Sequence, residues 1–287
     1  MSKIHPTAVI DKKAHLAPDV TVGPYAVIEG SVSVGPGSWI GSHVVISGAV
    51  AIGKNCRIFP FAALGTPPQD RTFKGGESRI EIGDENVIRE QVTIHPGTPK
   101  GGGLTKIGSR NWFLVASHVA HDCTVGDDNT FANWSALAGH VHLASHVMVS
   151  AFVAVHQFCR VGRLAMIGGI TGVPLDIPPF AMVQGNRGRL MGLNRVGLRR
   201  AGFTLAQIRT LQDAYHILFR RKGAIAGRLA AVRKLADPLA EELADFVQHS
   251  KRGVCTREEG AADEAEEITE PSRRFRSLKR AVPAITT

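Results

Sequence analysis

Residues 117–126 read SHVAHDCTVG, with His118 and His121 three apart and Asp122 directly after the second. An imidazole gains or loses its proton near neutral pH, so a histidine in a groove can serve as a general base or, when neutral, as a metal ligand. A neighbouring carboxylate can fix which ring nitrogen carries the proton. His95, His140, His142, His146 and His156 lie close enough in the chain to join such a site. Which of them share a groove depends on the elements that carry them.

Those elements follow from a six-residue period. Starting at Ile4, each sixth residue is aliphatic: Ile10, Leu16, Val22, Ile28, Val34, Ile40, Ile46, Ile52, Ile58, Leu64. The frame resumes at Ile82, Ile88 and Ile94, and again from Ile107 through Val119, Leu137 and Val155 to Val173, with Phe113 and Phe131 in the same phase. Neither a helical nor a simple strand period produces this spacing. It is the hexapeptide repeat of a parallel β-helix, in which each hexad forms a short strand and a turn, and three hexads close a triangular coil of ~18 residues. Each coil buries its apolar face only against its neighbours. The aliphatic is expected to fill the interior, a small residue four places later to pack beside it, and the frequent glycine directly after the aliphatic to turn the corner.

With that coil length, His121, Gly139 and Gln157 form one column on three neighbouring coils, with His140 and His156 beside it. His121 and Gly139 lie two places past Val119 and Leu137, near a corner. The arrangement suits acyl transfer. The imidazole of His121 can deprotonate a hydroxyl nucleophile, and the Gly139 N–H, one coil or ~5 Å away, can stabilise the oxyanion formed at the acyl carbonyl. Asp122 or a nearby carbonyl can orient the ring. No serine stands with a base partner, so direct transfer fits better than a covalent intermediate, and it requires no cofactor. A metal site is the rival reading, but there is no paired C-x-x-C, and Cys56, Cys123 and Cys159 share the small inward phase of the repeat, so they read as core filler.

Two segments leave the frame, GTPPQDRTFKGGESR at 65–79 and HPGTPKGGGLTK at 95–106. Both are rich in glycine, proline and charge, so they are expected to project from the solenoid, where loops often carry function. The hexads stop near Val173, and PLDIPPF at 174–180 is expected to break regular structure. A helical part at 188–252 follows the solenoid of 1–187. Thr204 and Gln207 make a capping box. Leu205, Ile208, Leu211, Tyr215 and Leu218 then form one apolar face. Ile225, Leu229 and Val232 suggest a second helix ending before Asp237-Pro238, and Leu239, Leu243, Phe246 and Val247 a third. From 253 to 287 the chain is charged in blocks with little apolar content, and it is expected to be a mobile tail.

The bulk numbers narrow the class. A chain of 287 residues holds ample core, contains no apolar run long enough to span a bilayer, and begins without the regions of a signal peptide. Four cysteines in this length are no disulfide framework, which reads as cytoplasmic. A net charge of +9 favours acidic partners, while 6% aromatic content and no recognisable nucleic-acid motif argue against nucleic acid.

The motifs AHDCTVG, LAGHV, AVHQF, TIHPGT and GGGLTKIG, with the passage from IPPF to QGN, resemble the UDP-N-acetylglucosamine O-acyltransferase family over about residues 1–252. The resemblance implies a left-handed parallel β-helix followed by a small α-helical domain, assembled as a homotrimer with active sites between subunits. It implies transfer of a 3-hydroxyacyl chain from acyl carrier protein to the sugar 3-hydroxyl of UDP-N-acetylglucosamine, the first step of lipid A synthesis. By match of motif, His121 is the general base with Asp122 beside it, and Gly139 supplies the oxyanion N–H. His118, His140, His156 and Gln157 line the substrate groove, Gln69 and Asp70 reach the sugar, and Asn194 and Arg200 contact the nucleotide. Gly169 falls where the family sets acyl length, and a glycine there favours a longer chain. The carrier protein is acidic, which makes Arg199, Arg200, Arg209, Arg220, Arg221 and Lys222 candidate docking charges.

The chain departs from the family pattern at four places. The first loop usually reads QD-x-K, but here Thr72 stands where lysine is expected, with Lys74 offset from that position. Val196 and Ala201 replace an acid and a base in the nucleotide segment NRVGLRRAG, and Trp134 replaces a small polar residue. These changes leave a modified acceptor open, such as a 3-amino sugar giving an amide. A zinc hydratase using three histidines and a non-catalytic sugar-nucleotide or carrier-binding β-helix are the remaining alternatives.

Overall fold

The computed structural model describes residues 3–257. Its first part is a parallel β-solenoid of short strands stacked into three sheets of 11, 9 and 8 strands, here called faces A, B and C. The register is the one the hexad demands: on face B, His118 pairs with Ala136 and Val119 with Leu137. The aliphatic column is buried along its length, with Phe113 stacked on Phe131 at 4.6 Å inside it. Only the first coil differs. Ile4 is 42% exposed and Ile10 and Leu16 are partly so, since no coil lies beneath them.

The corner turns out to be built differently from the sequence expectation. The residue with left-handed backbone stands three places past the aliphatic and is rarely glycine: Tyr25, His43, Phe61, Asp122, His140 and Phe158 have φ between 57° and 65°. The glycine directly after the aliphatic is required instead by stacking. A Cβ on Gly35 would stand 2.7 Å from the Gly53 carbonyl carbon of the next coil. Cys56, Cys123 and Cys159 point inward and are fully buried, as their phase predicts. Burial pushes the Cys123 thiol up to about 12 and that of Cys159 to about 11.

Both out-of-frame segments do project, with tighter edges than expected. Arg79 already belongs to the strand Arg79–Ile82, and residues 104–106 belong to the strand Leu104–Ile107, which pairs with it. The solenoid also runs past Val173. Ile177 bridges to Val161, and Ala181–Gln184 adds a parallel strand to face A before the antiparallel strand Arg189–Leu193 closes it.

Four helices are described after that: α1 Arg195–Arg200, α2 Leu205–Phe219, α3 Ile225–Arg233 and α4 Pro238–Gln248. The capping box at Thr204 and Gln207 is present, and Asp237 caps α4. Helix α1 was not expected, because six residues containing Gly197 show no apolar period. Arg163 grips Glu242 of α4 through two hydrogen bonds of 2.6 and 2.7 Å, which ties the helices to face C. The tail expected from 253 begins in fact as packed chain. Val254 bridges to Asp176 and Cys255 is fully buried, whereas residues 258–287 lie outside the described residues.

The outward columns of the three faces differ in chemistry. Face A carries Lys3, Thr21, Trp39, Arg57, Val87, Trp112, Thr130, Met148, Met166 and Met182 in register. Face B carries Val9, Val27, Val45, Ala63, Thr93, His118, Ala136, Ala154 and Gly172. The outward column of face C is mostly polar: His15, Ser33, Ala51, Glu81, Lys106, Thr124, His142 and Arg160.

Candidate active site

The corner between faces B and C brings His121, Asp122, Gly139 and His140 together. His121 follows the strand His118–Val119, and its Nδ1 lies 2.8 Å from Asp122 Oδ2. The left-handed backbone of Asp122, with φ 61°, turns the chain at the corner, and its carboxylate is buried beside the ring. That carboxylate is held from a second direction. Thr98 donates to it through both its N–H, at 2.8 Å, and its hydroxyl, at 2.7 Å. The Asp122 N–H in turn donates to Thr105 Oγ1 at 2.8 Å. An ionised carboxylate taken out of water needs such donors. Bound this way, it holds Nδ1 of His121 as the donor and leaves Nε2 as the basic nitrogen.

Gly139 sits one coil above His121 and is where a glycine is needed. A Cβ there would lie 2.5 Å from Cε1 and 2.8 Å from Nε2 of the ring. The missing side chain therefore lets the imidazole lie directly over the backbone of the next coil. Among the described residues the Gly139 N–H has no hydrogen-bond partner, while the flanking His140 N–H donates to the His121 carbonyl at 3.0 Å.

The other histidines surround this pair. His140 lies edge-on to His121 at 5.2 Å, stacks on Phe158 at 4.4 Å, and places Nε2 3.7 Å from Asp122 Oδ2. His118 shares a 2.7 Å hydrogen bond with Thr93 and meets His95 edge-on at 5.0 Å. Burial pushes His118 down to about 4 and also lowers His95 and His140, so His118 is neutral at pH 7. His95 Nδ1 accepts from the Gln69 N–H at 3.2 Å, which anchors the first loop. Asp70 stands on that loop with its carboxyl held below the usual range, chiefly by the Thr72 N–H and hydroxyl. His156 and Gln157 are exposed two coils above His121, with His156 Nδ1 3.1 Å from the Gln157 carbonyl.

Three expected residues stand apart from this corner. Gly169 is exposed and open, with only the Ala151 carbonyl oxygen, at 3.5 Å, near its missing Cβ. Asn194 is buried and caps α1, accepting from the Gly197 N–H and donating to the Leu164 carbonyl. Arg200 is exposed at the end of α1.

His121, Asp122 and His140 can each offer one donor atom within 4.8 Å of the others, the spacing of a metal trio. In this chain the Asp122 oxygens already accept from Thr98 and His121, so the trio is organised around its own carboxylate. The sequence reading missed Thr98, Gly101 and Thr105. Thr98 and Gly101 sit on a loop whose approach to Asp122 depends on how it folds back, and Thr105 lies on the strand that follows. The one local signal was the pair of Thr98 and Thr105 flanking a glycine run.

This geometry matches known proteins along nearly the whole chain. Residues 176–255 match the family model for UDP-N-acetylglucosamine O-acyltransferase, domain 2. The acyl-[acyl-carrier-protein]–UDP-N-acetylglucosamine O-acyltransferase of Thermodesulfovibrio yellowstonii is 44% identical over 257 residues, covering 89% of this chain and 100% of the relative. The chain belongs to the UDP-N-acetylglucosamine O-acyltransferase family. The enzyme of the same name from Alkalilimnicola ehrlichii is 47% identical, covering 88% of this chain and 99% of the relative. The solved Moraxella catarrhalis UDP-N-acetylglucosamine O-acyltransferase superposes with a TM-score of 0.86 at 40% identity, over 88% of this chain and 98% of that one. The family fold extends to the UDP-N-acetylglucosamine acyltransferase of Arabidopsis, with a TM-score of 0.79 at 32% identity over 88% of this chain and 100% of that one.

Proposed function

We propose that this chain transfers a 3-hydroxyacyl group from acyl carrier protein to the 3-hydroxyl of UDP-N-acetylglucosamine, the first step of lipid A synthesis. The observation that carries the reading is the triad-like tie Thr98–Asp122–His121 beneath the bare backbone of Gly139. In the reaction, Nε2 of His121 takes the proton as the sugar oxygen attacks the thioester carbonyl. The negative charge passes to the carbonyl oxygen, where the Gly139 N–H receives it. Collapse forms the ester and breaks the carbon–sulfur bond, and the imidazolium returns its proton to the departing thiolate. Asp122 holds the ring in one tautomer and offsets its positive charge during the step. Gln69, Asp70, His118, His140, His156 and Gln157 line the groove, and Gly169 leaves room for a long acyl chain.

The assembly is proposed as a homotrimer with active sites between subunits. The support is the contrast of the faces. Faces A and B carry mainly apolar or small outward columns, and Trp112 and Met148 on face A are 51% and 39% exposed in the single chain. The outward column of face C is mostly polar. Three triangular solenoids with face A of each against face B of the next would cover both apolar columns and leave face C in water. Asn194 and Arg200, remote from His121 in one chain, would then serve the nucleotide at a neighbouring subunit's corner. The exposed cations Arg199, Arg200, Arg209, Arg220, Arg221 and Lys222 on and after α1 and α2 would dock the acidic carrier. A carrier-protein substrate supports a cytoplasmic location, and no helix among the described residues is long and apolar enough to cross a membrane.

The test is an acyl-transfer assay on purified protein with UDP-N-acetylglucosamine, its 3-amino analogue and a ladder of 3-hydroxyacyl carrier proteins, with products read by mass. Ester product on the ordinary sugar is expected. Amide product alone would move the acceptor to the amino sugar, and no product from a folded oligomer would sink the reading.

A further inference from the structure

The two projecting loops enclose a cleft of about 260 Å³, bounded by Asp70, Thr72 and Phe73 from the first and Thr98, Pro99 and Lys100 from the second. The second loop is fixed against the catalytic pair. Thr98 caps the short 3-10 turn Pro99–Gly101 and donates twice to Asp122, and a Cβ on Gly101 would stand 2.1 Å from the Asp122 carboxyl carbon. Lys100 rides on that turn, so the base of its side chain has a set position relative to His121. Its ammonium reaches across to donate to Thr72 Oγ1 at 3.1 Å, and the Thr72 hydroxyl donates onward to Asp70. Lys74 borders the same cleft but makes no hydrogen bond to a described residue.

We propose that Lys100 binds the acceptor sugar in this enzyme, supplying from the second loop the ammonium that the family pattern places at position 72. The Lys100 ammonium reaches the side chain of Thr72, the position where the resemblance expects a lysine. The ammonium can donate to the hydroxyl and amide oxygens of an amino sugar, and the Asp70 carboxylate can accept from its hydroxyl and amide N–H groups. Lys100 thus keeps an ammonium beside residue 72, which itself carries none. This inference rests on the proposed acceptor.

The experiment is a binding and kinetic comparison on the full-length enzyme. Lys100→Gln is expected to weaken UDP-N-acetylglucosamine binding by calorimetry, and to raise its KM, by about 10- to 100-fold, the worth of one charged hydrogen bond. Binding of UDP alone and the KM for acyl carrier protein should stay within about threefold, and Tm should hold. The double variant Thr72→Lys/Lys100→Gln, which moves the charge back, should recover most of the loss. Unchanged sugar binding in Lys100→Gln would overturn the proposal while leaving the reaction standing, as would the same loss appearing in Lys74→Gln instead. An equal loss for UDP would place Lys100 on the nucleotide and overturn the sugar assignment. Wild-type protein that binds no UDP-N-acetylglucosamine would remove the proposed acceptor itself.

Discussion

Two buried aspartates in the same solenoid differ in what their carboxylates hold, and the proposed catalytic role falls to only one of them. Asp122 and Asp176 are 6% and 1% exposed, and both accept from a backbone N–H and a hydroxyl. Asp122 takes these from Thr98, and Asp176 from the Arg160 N–H at 2.8 Å and the Ser250 hydroxyl at 2.7 Å. The difference lies in the remaining donor. Asp122 also holds a histidine ring that is partly open to the groove. Asp176 is enclosed by the returning chain, with its N–H given to the Gly253 carbonyl and its carbonyl taken by the Cys255 N–H. A satisfied buried carboxylate stabilises wherever it stands. It contributes to chemistry only where one of its partners can carry a proton to solvent or substrate.

The sharpest way to break this comparison is to exchange the outcomes. His121→Ala is expected to lower kcat by ~10²–10⁴-fold with the fold intact, the usual worth of a general base. Asp122→Asn should lose a similar factor, because an amide cannot accept every bond the carboxylate accepts and the ring tautomer is released. Steady-state kinetics with Tm alongside checks both, and near-normal turnover in either variant would remove that residue from the role. Asp176→Ala should do the reverse. It strands the Arg160 N–H and the Ser250 hydroxyl, at ~1–3 kcal/mol each, so Tm falls by several degrees while kcat at low temperature is kept.

A second test separates the carboxylate from the space it organises. Gly139→Ala leaves Asp122 untouched but places a methyl where His121 Cε1 and Nε2 lie, 2.5 and 2.8 Å from the new carbon. Asp122 and Thr98 resist any shift of the ring, so the expected result is a fall in kcat of about 10²-fold with little change in Tm. If the variant matched wild type, the ring would have to work from another position, and the oxyanion assignment to Gly139 would fail with it.

Legibility in the sequence followed how local each constraint is. The hexad exposed the core from Val22 to Val173 because every coil repeats one demand, and it placed His121 under Gly139 because stacking is a fixed count of residues. It also set His140 and His156 beside the His121 column. The ties that decide chemistry were hidden. Thr98 reaches Asp122 across 24 positions and Ser250 reaches Asp176 across 74, and no period records such encounters. The corner glycines misled for a physical reason. Close approach between coils and left-handed backbone both favour glycine, and here the first demand governs the residue after the aliphatic while Asp122 and His140 take the second. The chemistry of the faces was legible in principle, since outward residues recur every coil, but it becomes an argument only once the register is known.

The smallest expected effect concerns a group between the two aspartates in character. His118 is partly buried and borders the site like Asp122, and desolvation holds it at about 4 against an ordinary 6.5. Between those values the unfolded chain binds a proton at this position that the folded chain does not. Stability is therefore full above about pH 6.5 and is lost as pH falls toward 4, with other titrating groups superimposed. His118→Asn keeps a hydrogen-bonding side chain opposite Thr93 and removes the titration. Its Tm should fall less than that of wild type between pH 7 and pH 5, a difference of a few degrees at most. Parallel curves for the two proteins would mean that His118 accepts its proton while folded. The contrast between buried support and active chemistry would then have to be redrawn through it.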